Sequence, residues 1–356
     1  MRRWVPWLVA VIAVVVVVGA ALRVPAVQDA IIRRVVARAV ADSAGHLFAD
    51  DALRVLLCGT SAPLPHPTRA KACVAVFAAG RFWIVDTGPG SWNHLALWHV
   101  DGKRIGAILY THFHSDHIAE LGEFNLQTWA AGRPNPLRVI GPPGVERVVA
   151  GFEEAYALDR GYRIAHHGAD FLKPDLSLMQ ATPVDATAAP AVVLDEDGLK
   201  ITAFPVDHRP IVPAYGYRFD YRGRSVVVSG DTTKSASLTA AARGADVLVH
   251  EAQANHLIAM IGEAAAAVGR DRVAKIMHDI PSYHTSPVQA AEVANEAGVR
   301  LLVLYHLNPP PPNRFVERVF VRGVAQVRAD HWILGDDGLL VELPIGSNAI
   351  ATHVLQ

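Results

Sequence analysis

Thr111-His112-Phe113-His114-Ser115-Asp116-His117 follows directly on the apolar run Ile105, Ala107, Ile108, Leu109. Three imidazoles and a carboxylate fall within six positions at the end of a predicted strand. Taking that many polar groups out of water at one strand end is costly unless a cation sits among them. Neutral imidazole and carboxylate are the ligands of borderline divalent cations such as zinc. The alternative is a solvated histidine-rich loop, so the rest of the chain must supply partners.

Three partners follow, each just after an apolar run. His208 ends Ile201-Thr202-Ala203-Phe204-Pro205-Val206-Asp207, Asp231 follows Val226-Val227-Val228-Ser229-Gly230, and His306 follows Leu301-Leu302-Val303-Leu304-Tyr305. Each places a ligand type where a buried strand surfaces, which is where open α/β sheets carry their chemistry. A lone histidine after a strand is ordinarily a rim residue. Four such sites in this order point to one metal centre.

With these residues the chain resembles the metallo-β-lactamase superfamily, over roughly residues 53 to 345. The matching positions are Asp86 in Val85-Asp86-Thr87-Gly88, the His112–His117 string, His208, Asp231 and His306. Within the superfamily it looks most like the ribonuclease Z and arylsulfatase-like branch. The residues pointing there are Leu57-Cys58-Gly59-Thr60-Ser61-Ala62-Pro63, Ser229-Gly230-Asp231-Thr232, His250-Glu251-Ala252 and His284-Thr285-Ser286. The resemblance implies a four-layer αββα sandwich and two zinc or similar divalent ions. His112, His114 and His208 would hold the first metal; Asp116, His117 and His306 the second; Asp231 would bridge them. Asp86 would organise the loops beneath the site. Catalysis would rest on Asp116 and on His284 as proton donor to the leaving oxygen. A His-Ser-Thr triplet is expected there, and this chain reads His-Thr-Ser.

The expected activity is hydrolysis of an ester by a water shared between two metals, most simply a sulfate or phosphate ester of a small molecule. The formal net charge of −1 argues against nucleic acid, which favours a basic footprint. Two departures from ribonuclease Z point the same way. The long connection after Arg163 holds one lysine, Lys173, and no arginine through residue 199, where that enzyme carries an RNA-gripping arm. The loop Pro63-Leu64-Pro65-His66-Pro67-Thr68-Arg69 lacks the Pro-x-Lys-x-Arg pattern. Transfer-RNA 3′-processing endoribonuclease is therefore the second reading, and a non-catalytic, metal-stabilised envelope protein the third.

The N-terminus sets the expected compartment. Arg2-Arg3 precedes an uncharged run from Trp4 to Leu22, whose nineteen residues span about 28 Å as a helix, close to the ~30 Å hydrocarbon layer. This predicts a transmembrane anchor within residues 1–23, with the catalytic domain on the periplasmic or extracellular side; a cleaved signal segment is the rival. Residues 24–50 read as a linker helix, with Ile31, Ile32, Val35, Val36, Ala39 and Val40 opposite Arg33, Arg34 and Arg38. Residues 51–346 form the hydrolase domain and 347–356 a tail. Within the domain, one strand is expected over 192–206, a helix over 144–158, an irregular connection over 159–192 and a hairpin at Asp336-Asp337-Gly338. Cys58 and Cys73 are either a disulfide or two buried thiols. His166 and His167 are either substrate contacts or solvated, and His250-Glu251 either supports a metal-ligand imidazole or closes a strand end.

Overall fold

The computed structural model describes residues 5–41 and 44–355. It divides into two compact units, one ending at Ala44 and one beginning at Gly45. Arg2, Arg3 and Trp4 of the N-terminal run lie outside the described residues, as do the side chains of Arg38 and Ala39.

The first unit is a pair of helices, α1 (Val5–Ala21) and α2 (Pro25–Ala41), bent by 83°. The bend has a local cause. A proline disfavours helical backbone in the residue before it, so Pro25 starts a new helix rather than extending the old one. At 17 residues, α1 is about 25 Å long, short of the ~30 Å hydrocarbon layer. No single described helix is long and apolar enough to cross a membrane; the two pass that test only as a bent pair. The expected transmembrane helix is corrected accordingly.

The second unit is built on two sheets. The first comprises β1 (Ala52–Gly59), β2 (Cys73–Ala78), β3 (Arg81–Val85), β4 (Ile105–Leu109), β5 (Leu137–Gly141), β6 (Met179–Pro183), β14 (Leu339–Pro344) and β15 (Ala351–Val354). Its order is β15-β14-β1-β2-β3-β4-β5-β6. The second comprises β7 (Ala191–Glu196), β8 (Leu199–Pro205), β9 (Tyr215–Tyr221), β10 (Arg224–Val228), β11 (Val247–Gln253), β12 (Leu301–Asn308) and β13 (Trp332–Leu334), in the order β13-β12-β11-β10-β9-β8-β7. The sheets face each other across one core. Val55, Leu57, Val76, Trp83 and Leu109 meet Ile201, Tyr217, Phe219, Val226, Val228 and Val303 there. Alternation of side chains along a strand sends Val227, Leu248 and Leu302 to the opposite face, under Leu238, Ala291 and Val293 of the outer helices. Strands buried on both faces read as continuous apolar runs, which is how they appear in the sequence. This is the expected αββα sandwich.

Four local expectations change. The stretch 192–206 is a hairpin, because Asp197 (φ 53°) and Gly198 (φ 80°) make a tight left-handed turn between β7 and β8. Such turns match the twist of paired strands. The connection 159–192 contains β6 and continues a helix, Ala157–His167. The turn at Asp336-Asp337-Gly338 is no hairpin, since β13 and β14 belong to different sheets. The stretch 347–356 supplies β15, which pairs with β14 from Leu339↔Val354 to Glu342↔Ala351. Cys58 and Cys73, on the neighbouring strands β1 and β2, form a disulfide with Cα atoms 5.0 Å apart.

Candidate metal centre

β4 carries the chain out of the core at Leu109, and the histidine string begins three residues later. His114 caps a one-turn helix, Ser115–Ile118, that turns Asp116 and His117 back beneath it. Asp86, just past β3 at φ 62°, ties these pieces together. Its carboxylate accepts the Thr111 backbone N–H at 2.9 Å and the Thr111 hydroxyl at 2.8 Å. It also lies 2.8 Å from His117 Nδ1. That contact places the imidazole proton on Nδ1 and leaves Nε2 free to face the cluster, the usual role of a carboxylate behind a ligating histidine.

The second sheet delivers the rest. His208 follows β8, and its Nδ1 lies 2.9 Å from the Tyr283 carbonyl, which again leaves Nε2 facing inward. Asp231 follows β10 through Gly230 (φ 63°), where a Cβ would stand 2.5 Å from the Tyr215 carbonyl oxygen. Only glycine fits that approach. His306 is the extra residue of a bulge in β12. Tyr305 and Leu307 pair with Glu251 and Ala252, while His306 is unpaired at φ 45°. Bulges beside active sites re-aim a side chain in this way.

All seven expected ligand-type residues converge. One ligand atom each from His112, His114, His208 and Asp231 lie within 4.8 Å of one another, as do those of Asp116, His117 and His306. Asp231 stands between the groups. Its Oδ2 is 3.9 Å from His112 Nε2, 4.0 Å from His208 Nε2 and 3.4 Å from His117 Nε2; its Oδ1 is 3.5 Å from His306 Nδ1. Asp116 Oδ2 is 3.3 Å from His306 Nε2. A third grouping joins Asp231, His284 and His306.

The donor set fits a divalent cation. His208 Nε2, Asp231 Oδ1 and His306 Nδ1 are buried with no hydrogen-bond partner, which is expensive unless something else binds them. His117 and His306 bring their Nε2 atoms within 3.2 Å of each other. Burial pushes the pKa of His112, His114 and His208 below the imidazole range, so they present the neutral, ligating form. Burial opposes ionisation of Asp116, yet the neighbouring His117 and His306 pull its carboxyl down to about 2.

His284 lies beside this cluster, its ring centroid 5.3 Å from that of His208 and 5.9 Å from that of His306. It immediately precedes the helix Pro287–Glu296, whose Ser286–Gln289 capping box fixes where the chain enters. Glu251 Oε1 is 3.1 Å from His284 Nδ1 and accepts the backbone N–H groups of Thr285 and Thr232. Burial works against protonating His284, but Glu251, joined by Asp231, outweighs it and holds the pKa above the ordinary histidine value.

The remaining sequence candidates fall elsewhere. His166 and His167 are exposed at the end of helix Ala157–His167 and pack against each other, with Phe171 beside His167. His250 is buried with Nδ1 against the Glu251 carbonyl and Nε2 unpartnered; it is Glu251 that reaches toward the site. Arg69 of the early loop donates to Thr60 Oγ1 and the Gly335 carbonyl. Lys71 binds the carbonyls of Ala62 and Leu64, fixing that loop over the site. Sequence reasoning missed Lys71, Tyr283 and Asn308, which carry no motif. Only Asn308 left a trace, two residues after His306.

A family model described as a beta-lactamase superfamily domain matches residues 81–307, the stretch that holds all seven ligand-type residues. The chain belongs to the metallo-β-lactamase superfamily. This superfamily member is 40% identical over 263 residues to ribonuclease Z of Mycobacterium bovis, an alignment covering 72% of this chain and 86% of that protein. Its fold is similar to that of the metallo-β-lactamase fold protein YhfI of Bacillus subtilis (TM-score 0.58, 19% identity) and of the short form of human tRNase Z (TM-score 0.57, 20% identity). Each of those alignments covers 82% of this chain and all of the solved one. The superfamily and the relatives make the chain a metal-dependent hydrolase acting on ester bonds.

The same relatives overturn the expectation of a small sulfate or phosphate ester with nucleic acid set aside. Identity of 40% over most of a ribonuclease Z is more than a shared scaffold. The error came from net charge, a sum over the whole chain that says nothing of local distribution, and from treating two departing loops as decisive.

Proposed function

We propose that this protein is a metal-dependent endoribonuclease that removes the 3′ extension of precursor transfer RNA. The observation that carries this is the placement of the Glu251–His284 pair beside the complete His/Asp cluster, in a chain with 40% identity to ribonuclease Z. The arrangement supplies what phosphodiester cleavage needs: sites for cations, and beside them an imidazole whose acid form Glu251 favours, for the leaving oxygen.

In this reading His112, His114 and His208 would hold one zinc or similar divalent ion and Asp116, His117 and His306 a second, with Asp231 available to both. Bound there, the metals acidify water and neutralise charge on the phosphoryl oxygens. The chain's own residues do the rest. Asp86 holds His117, and the Tyr283 carbonyl holds His208, each with Nε2 inward. As the phosphorus–oxygen bond breaks, the leaving oxygen takes the proton of His284, whose charged form Glu251 stabilises.

We further propose that α1 and α2 attach the chain to a membrane. Supporting this, α1 has no charged residue and its side chains from Trp7 to Ala20 are exposed, with Trp7 at 75% and Leu8 at 66%. In α2, Ile32, Val35 and Val36 are likewise exposed, and Arg33 and Arg34 suit anionic headgroups.

A substrate panel on metal-loaded protein tests the activity: precursor transfer RNA with a 3′ extension, bis(p-nitrophenyl) phosphate and p-nitrophenyl sulfate. Cleavage of the RNA and the diester, with the sulfate left intact, is expected. Hydrolysis of the sulfate alone would overturn the proposal.

A further inference from the structure

The cavity over the cluster, about 250 Å³, has an apolar side of Leu64, Ile276, Met277 and Ile280 and a polar side that includes His114, Asp116, Asp231 and His284. Two residues with hydroxyls, Ser115 and Tyr283, also line it, and neither hydroxyl has a part in the chemistry above. Ser115 is exposed at the start of its one-turn helix. Tyr283 is held in place. Its ring packs against two imidazoles, with centroids 5.0 Å from His208 and 4.8 Å from His284, and its backbone carbonyl lies 2.9 Å from His208 Nδ1. The residue is half-buried, and its hydroxyl makes no hydrogen bond among the described residues and is not sealed in the interior. The carboxylates of Asp231 and Asp116, which line the same cavity, act on that hydroxyl electrostatically, as does Asp279. The oxygen therefore lies on the side of the metal cluster.

A phosphodiester presents only acceptor oxygens. In the transition state of phosphoryl transfer, negative charge is carried by the oxygens that neither attack nor leave. A donor already fixed in place stabilises that charge with no reorganisation at the moment of reaction. His284 is committed to the leaving oxygen, and ionised Asp116 and Asp231 can only accept. A phenol is protonated at neutral pH and can donate. We infer that the Tyr283 hydroxyl donates a hydrogen bond to a non-bridging oxygen of the scissile phosphodiester, and so is a further catalytic residue of this site. The phenol keeps its proton throughout. This inference rests on the phosphodiester part of the ribonuclease reading.

The test is Tyr283→Phe, which removes the hydroxyl and keeps the ring against His208 and His284. On the full, metal-loaded chain it should lower kcat/KM about ten- to a hundredfold, the size of one hydrogen bond to a charged group. The loss should be the same on precursor transfer RNA and on bis(p-nitrophenyl) phosphate, which share their non-bridging oxygens and differ in leaving group. That independence separates it from proton donation to the leaving oxygen, whose loss shrinks with nitrophenolate. Metal content should be unchanged. Inorganic phosphate, which carries the same kind of oxygen, should bind the variant about tenfold more weakly by calorimetry. The assignment falls if Tyr283→Phe matches the wild type in rate or in phosphate affinity, if it loses metal, or if its loss depends on the leaving group. It also falls if Ser115→Ala carries the loss instead. In all those cases the ribonuclease reading survives. If the wild type hydrolyses the diester but no RNA, and Tyr283→Phe is slow on the diester, this inference stands and the transfer-RNA reading is removed. Wild-type protein that cleaves neither substrate removes both.

Discussion

Glu251 Oε1 lies 3.1 Å from Nδ1 of His284 and accepts two backbone N–H groups, from Thr232 and Thr285. The carboxylate thus joins the loop that carries Asp231 to the loop that carries His284, and it favours the imidazolium. Because the pKa of His284 is raised, its acid form is fully present below the ordinary histidine value and is lost as pH rises through the raised one. Glu251→Gln removes the charge. The alkaline limb of the kcat–pH profile should then move to lower pH, with metal content unchanged. A profile that does not move assigns the limb to another group.

Asp231 and His284 are separable by metal analysis. Asp231→Ala should lose metal and nearly all activity, because the carboxylate proposed to be shared would no longer offset repulsion between two dications. His284→Ala should keep its metal and lose about 10²–10⁴ in kcat, the usual contribution of general acid catalysis. The loss should shrink for nitrophenolate leaving groups, which need little protonation. Loss of metal in His284→Ala would make His284 a ligand, as its grouping with Asp231 and His306 allows.

The convergence of the ligand-type residues was legible because they cluster in sequence and sit where apolar strands end. Asp86, His112–His117, His208, Asp231 and His306 all reach one place. The Glu251–His284 contact was half legible. His284 showed in its triplet, and His250-Glu251 stood out as a pair at a strand end, but nothing local says which of two adjacent residues on a strand faces the site. The β7–β8 hairpin hid because a two-residue turn, Asp197-Gly198, barely interrupts the apolar pattern. Helix Ala157–His167 fully buries no residue, and the Pro- and Ala-rich stretch that follows it masked its few apolar positions. The turn after Leu334 joins different sheets, and sheet membership is a matter of topology that flanking residues do not encode.

The disulfide should matter to stability. In the chain-entropy description, closing a loop of 15 residues contributes about 3 kcal/mol, and Cys58 and Cys73 are separated by 15. Cys58→Ala/Cys73→Ala should lower the midpoint of denaturant unfolding under oxidising conditions. An unchanged midpoint would show that the β1–β2 pairing alone suffices.

The two units should separate by function. Protein beginning at Gly45 should keep the activity of the full chain on bis(p-nitrophenyl) phosphate within about twofold, since every ligand-type residue lies in the second unit. The full chain should float with anionic vesicles and the shortened one should not, as apolar burial and Arg–headgroup attraction are both removed. Equal flotation would refute the assignment of membrane attachment to α1 and α2.

The most direct test of the central claim is the 3′ end left on a precursor transfer RNA after incubation with metal-loaded protein, read at nucleotide resolution beside Asp231→Ala. The account predicts a single new 3′ end at the junction between the mature transfer RNA and its extension, absent with Asp231→Ala and after chelation. An intact precursor, under conditions where the same preparation hydrolyses bis(p-nitrophenyl) phosphate, would contradict it.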